Sequence, residues 1–331
     1  MAENNQDKSI DVNPSKKPTV DEVIAILQDN SHEQVPTAAY YGLSDLDDVS
    51  MQVFVPVWQN LPVDYKRRIV TELAEASEVN FDLNFDVLGY LALDDDDPSI
   101  RSSAIDLLWD DDSLSLLSRL IDLAENDESP EVRATATSEM GRFILLGEYG
   151  DIPEREAIRA QDVAIGLLND ATEDIQVRRR ALEAISNSSL EFVSEAIAEA
   201  YESDEHLMRV SAVFAMGRSY DQRWTETVLR EVRNDDPEIR YEAARAAGEL
   251  EIEEAVTLLG QIAVADEREI KQVAIWSLGE IGGGQATRLL TALAEDAEEA
   301  EDEDLLEAIE DAIGYANMVG SDIDVDFENS D

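Results

Sequence analysis

The residues able to do acid–base or metal chemistry in this chain are few and scattered. Its two histidines, His32 and His206, stand far apart, and His206 reads as a solvated residue at a helix start. Cysteine is absent, which excludes disulfides, thiol nucleophiles and cysteine-held metals. Asp322, Asp324 and Asp326 form a D-x-D-x-D run, but Phe327 stands where a calcium loop needs glycine, and no loop-closing glutamate follows. The acids Asp94–Asp97 precede Pro98 and read as a helix-capping turn, with weak cation binding as the alternative. Gly282–Gly284 lacks the lysine of a phosphate loop, and the sequon Asn187-Ser188-Ser189 has no secretory context. No catalytic, cofactor-binding or metal-binding residue is assigned.

What the residues offer instead is binding chemistry at a fixed interval. Cutting after Gly217 and Gly248 yields three segments of 31 residues, 187–217, 218–248 and 249–279. In register they place Val210 and Phe214, Tyr241 and Arg245, then Gln272 and Trp276 half a turn away from the apolar stripe of one helix. Exposed aromatics beside an arginine are the material of interaction hot spots. The competing reading is that these positions are closed in between neighbouring units.

The elements that position them follow from the same period. Met208, Ala212 and Met216 form an i, i+4, i+8 stripe, matched by Ile239, Ala243, Ala247 and by Ile270, Ala274, Leu278. A first helix in each segment carries Val193, Ile197, Tyr201, then Trp224, Val228, Val232, then Ala255, Leu259, Ala263. Asp204 and Asp235 or Asp236 serve as N-caps at the junctions. Gly217, Gly248 and Gly279 are expected to end the second helices in a left-handed conformation. Each segment is an αα-hairpin that cannot bury its apolar faces alone and must stack on its neighbours.

The stretch DDPEIRYEAARAAGEL (235–250), with DESPEVRATATSEMG (127–141) close behind, resembles the HEAT repeat, in particular the short repeats of phycobilisome-lyase type. The resemblance implies an all-α fold, an α-solenoid wound as a right-handed superhelix of about eight or nine hairpins. It implies that Arg101, Arg133, Arg178, Arg209, Arg240 and Lys271, which recur once per unit, pair with aspartates across units as a ladder. It also implies that the second helices line the concave side, and a partner helix or loop, basic at its edges, is then expected to lie near Phe214, Tyr241, Arg245 and Trp276. The iron-holding His-Glu pairs of the HEAT-like deoxyhypusine hydroxylases are reduced here to His32-Glu33. The basic groove of the HEAT-like alkylpurine DNA glycosylases is contradicted by the charge. The function expected is that of a non-enzymatic scaffold or adaptor for a protein partner. The alternatives are a tetrapyrrole or bilin lyase, or an assembly or regulatory subunit.

With 25 basic and 76 acidic residues among 331, the formal charge is −51. Such a field repels phosphate backbones and anionic membranes, so neither nucleic acid nor membrane is an expected partner. It serves solubility or a salty cytoplasm, or else basic partners. Residues 1–19 lack a signal-peptide core and no apolar run reaches membrane-spanning length, so a cytoplasmic protein is expected. The expected organisation is a disordered tail (1–18), a degenerate capping region (19–80), the repeat solenoid (81–317) and an acidic tail (318–331). Pro56 is expected to interrupt an aromatic-rich segment, and 142–156 to form an insertion, either an ordinary loop or a partner contact.

Overall fold

The computed structural model describes residues 17–28 and 35–321, with side chains to residue 318. Most of the expected N-terminal tail, the His32-Glu33 pair and the D-x-D-x-D run lie outside the described residues. Among the described residues there are eighteen α-helices and no strand, an α-solenoid of stacked hairpins. None of these helices is long and apolar enough to cross a membrane. The chain divides into two compact units, 1–136 and 137–331.

The first unit holds α1 (Val20–Gln28), α2 (Thr37–Leu43), α3 (Asp48–Asn60), α4 (Val63–Val79), α5 (Asp86–Ala92), α6 (Pro98–Leu107), α7 (Leu114–Asn126) and the start of α8 (Pro130–Tyr149). Lys17, assigned by sequence to the tail, is tied in by its Nζ, which donates to the Ser44 carbonyl at 2.5 Å. Pro56 does not interrupt its segment. It sits inside α3, which is held in place by the buried Phe54 and Trp58 on either side of it, so tertiary packing overrides the lost amide. Asp97 caps α6 through the Ile100 amide, as the Asp94–Asp97 turn predicts.

The second unit continues α8 and adds α9 (Glu154–Asn169), α10 (Ile175–Ile185), α11 (Glu191–Tyr201), α12 (His206–Arg218), α13 (Thr225–Glu231), α14 (Pro237–Glu249), α15 (Val256–Ala265), α16 (Arg268–Ile281), α17 (Gly283–Glu299) and α18 (Glu303–Ser321). Short 3₁₀ turns at Gln222–Trp224 and Glu253–Ala255 lead into α13 and α15. The insertion at 142–156 is not a loop. It lengthens α8 and α9, buries Phe143 and Ile144, and turns at Gly150, whose φ is 80°. Gly282–Gly284 likewise makes a direct joint between α16 and α17. Helix α18 runs to Ser321, past the expected start of the tail at 318.

All nine residues of the predicted second-helix stripes are buried, the most exposed being Ile239 at 7%. Burying each Ile, Met or Leu contributes about 1.5–3 kcal/mol. The three glycines have a different role from the one expected. Gly217, Gly248 and Gly279 lie inside α12, α14 and α16, and the positive φ falls three residues later, at Tyr220 (50°), Glu251 (51°) and Gly282 (63°). A Cβ on Gly217 would stand 2.8 Å from Ala246 Cα, one on Gly248 2.8 Å from Ser277 Cα, and one on Gly279 3.1 Å from Ala312 Cα. These glycines let successive second helices touch backbone to backbone.

The arginine ladder is present in part, with a second attachment that the pattern did not show. Arg101, Arg133, Arg209 and Arg240 each donate from Nη1 to the carbonyl six residues back, at 2.8–2.9 Å, closing their own hairpin turn. Arg101 reaches Asp127 at 2.7 and 2.8 Å, and Arg240 reaches Asp266 at 2.6 and 2.8 Å, both bidentate to the next turn. Arg67 does the same to Asp97. Arg178 instead donates to the Leu168 carbonyl, and Arg268, two residues after the aspartate that Arg240 reaches, takes Asp302 at 3.0 Å. Asp236 is the N-cap of α14, whereas Asp204 caps nothing, because Glu205 occupies the cap position of α12.

Two outcomes follow. Gly248→Ala should destabilise by about 1–3 kcal/mol, since backbone and not a flexible side chain must yield. Gly166→Ala, where a Cβ meets nothing within 4 Å in the interior of α9, should stabilise by roughly 0.5–1 kcal/mol. Urea midpoints at constant m-value read both. The hydrogen bond from Arg240 holds the Asp266 carboxyl below its ordinary range, outweighing burial. A depressed carboxylate stabilises the fold above its unfolded pKa, about 4, and the gain is lost as pH falls through the folded value. Asp266→Asn should therefore cost about 1–2 kcal/mol at neutral pH, and the gap to wild type should close on acidification below pH 4.

Candidate functional site

Tyr241, Arg245 and Glu249 recur every fourth residue along α14 and so share one face. Opposite them, α16 presents Glu269, Gln272, Trp276 and Glu280 at spacings of three and four. The two faces enclose a groove of about 700 Å³. Tyr220 and Glu251, from the left-handed corners after α12 and α14, line it as well. Trp276 is 40% exposed in it, Gln272 is exposed, and Tyr241 is half-buried.

Four of the six residues singled out from the sequence therefore share this groove: Tyr241, Arg245, Gln272 and Trp276. Val210 does not join them. It is 4% exposed, on a helix packed by α10, α11 and α14. Phe214 is half-buried beneath Arg245, whose guanidinium carbon lies 4.0 Å from the ring centroid. It supports the groove from below.

Electrostatics divide the groove into satisfied and unsatisfied charges. Arg245 donates to Glu242 and Glu249, each at 2.9 Å, and Arg218 stands 3.4 Å from Glu249. Burial pushes the Glu242 and Glu249 carboxyls up, and the arginines oppose that only in part. The carboxylate of Glu249 rests against Gly217, where a Cβ would meet its Oε2 at 2.2 Å. Glu280 is also pushed up, by burial first and by the charge of Glu251 second. The side chains of Glu251, Glu269 and Glu280 make no hydrogen bond or ion pair within the described residues. His206 is not a free turn residue: its Nε2 lies 2.7 Å from Asp236 Oδ2, which ties the start of α12 to the cap of α14.

Sequence reasoning missed Tyr220, Glu251, Glu269 and Glu280. A signal for the first two existed: the register 220, 251, 282 carries glycine in its third copy, which marks a left-handed corner. A non-glycine residue in that conformation costs on the order of 1–2 kcal/mol. Tyr220→Gly and Glu251→Gly should each raise the unfolding free energy by about 1 kcal/mol, read from thermal or urea unfolding. A fall in stability would show that these side chains contribute more to packing than the corner costs.

A family model described as HEAT repeats matches residues 85–185, 193–278 and 225–312. No curated protein matches the sequence. Among solved structures, YibA of E. coli aligns at 16% identity and a TM-score of 0.40, over 81% of this chain and 96% of that one. Human deoxyhypusine hydroxylase in complex with glycerol aligns at 15% identity and a TM-score of 0.35, over 90% and 96%. An engineered protein aligns at 16% and 0.38, over 62% and 98%. Likeness at this level carries no functional argument.

Proposed function

The chain belongs to the HEAT-repeat family, and on that premise we propose that it is a non-enzymatic scaffold or adaptor that holds a protein partner in the α14–α16 groove. The observation that carries this reading is Trp276. A tryptophan 40% exposed, beside Tyr241 and Gln272 in a groove of about 700 Å³, is costly to leave open to water and is what a partner's side chain covers. Stacked helical hairpins supply extended surfaces of this kind. The groove's arginines, tied into buried carboxylates, are arranged to hold a rigid surface and not to move protons.

The test is site-specific photocrosslinking in the native cell. A photoreactive residue in place of Gln272, exposed in the groove, should give a discrete adduct, whereas one in place of the exposed Glu226 on α13 should not. Adding Tyr241→Ala and Trp276→Ala should reduce the adduct roughly 30-fold, the loss of about 2 kcal/mol at a hot spot. The melting temperature should hardly move. Equal labelling from both positions would remove the groove as the site.

A further inference from the structure

The groove's own chemistry specifies its occupant more closely than "a protein". We infer that it seats an extended basic segment whose arginine side chain lies over the Trp276 ring with its guanidinium between Glu251 and Glu280; this rests on the groove being a partner site.

The chain already makes this contact internally. Phe214 of α12 is covered by Arg245 of the following α14, the guanidinium carbon 4.0 Å from the ring centroid, with Glu242 and Glu249 taking its N–H groups. Trp276 stands in the register of Phe214 two units on, and the helix that follows it, α18, has no cation to offer. No lysine or arginine occurs after Arg288. The ring is left exposed, and the carboxylates of Glu251, Glu269 and Glu280 line the groove beside it.

Charge complementarity points the same way. Arg218 and Arg245 are already engaged with Glu242 and Glu249, so the charges still open in the groove are Glu251, Glu269 and Glu280, all negative. Glu251 and Glu280 face the same space and repel each other, which a bound cation relieves. A planar guanidinium stacks on an indole and donates a fork of N–H groups to carboxylates; an ammonium does the second only as a point charge. Glu269 and Glu280 are eleven residues apart on α16, about 16 Å along the axis. That spans roughly five residues of extended chain, so a second cation four to six residues from the arginine would meet Glu269. A second copy of this chain, at −51, brings the wrong charge, as do phosphates.

Fluorescence anisotropy with the full chain tests this. The probe is a labelled eight-residue Gly/Ser peptide carrying two arginines five positions apart, with matched lysine and citrulline versions. The arginine peptide should bind, the lysine peptide several-fold more weakly, and the uncharged citrulline peptide not detectably. Trp276→Ala and Glu280→Gln should each weaken binding by about tenfold or more. Glu298→Gln with Glu299→Gln, which removes two charges from exposed positions on α17 where Glu280→Gln removes one, should change nothing. Equal loss from Glu280→Gln and from that distal pair would reduce the effect to general attraction to an acidic chain, and the inference falls. It falls also if the arginine peptide fails to bind or citrulline binds as well. Should crosslinking through position 272 succeed while the arginine peptide fails, the groove stands with a different occupant; if both fail, the groove reading goes too.

Discussion

Backbone contact between successive second helices is the constraint on which the second unit depends. Gly217 against Ala246, Gly248 against Ser277 and Gly279 against Ala312 leave no room for a Cβ at the glycines. Ser277 makes the contact polar as well as close, donating its hydroxyl to the Ala244 carbonyl at 2.8 Å. Such proximity sets how far apart the outward faces of α14 and α16 stand. The groove is thus a consequence of small residues packed beneath it, among them Gly248, which is part of its lining.

An acidic chain needs its few cations where they do most. Arg101 and Arg240 do two jobs with one side chain, closing the carbonyls of their own turn and forking onto an aspartate of the next, and Arg67 makes the same fork. A guanidinium suits both because its N–H groups point in fixed and divergent directions. The aspartates reached this way are held ionised and lie partly shielded from water, where hydrogen-bonded charge is better worth having than at the open surface. At Glu280 burial first and the charge of Glu251 second push the carboxyl up, and burial does the same at Glu242 and Glu249 although Arg245 opposes it there.

Strain accompanies the unpaired acids. Tyr220 and Glu251 take left-handed corners that their third counterpart fills with glycine, and both line the groove. Left-handed non-glycine residues persist where the surroundings over-determine them. Here the surroundings are the helix ends of α12 and α14 and the 3₁₀ turns that follow.

Much of the fold was legible in the residues because the repeat is written in local terms. An i, i+4, i+8 stripe can be buried only one way, and all nine stripe residues are. Four of six candidate groove residues were legible for the same reason: a helix face is a matter of angle, and angle follows from spacing. What spacing does not carry is how many neighbours a helix has. Phe214 differs in fate from Trp276 because Arg245 of the next unit covers its ring, whereas no lysine or arginine follows Arg288 to cover the tryptophan. Nor could composition say whether Pro56 or the 142–156 insertion would break a helix, since buried Phe54, Trp58, Phe143 and Ile144 outweigh local preference. By itself the sequence determined the hairpins, their order and the side of each that faces inward, all properties of one helix at a time. Only the tertiary structure decided which glycine bends and which merely makes room, which acid is paired, and which aromatic is left in the open, because each of those depends on what a residue thirty positions away brings alongside.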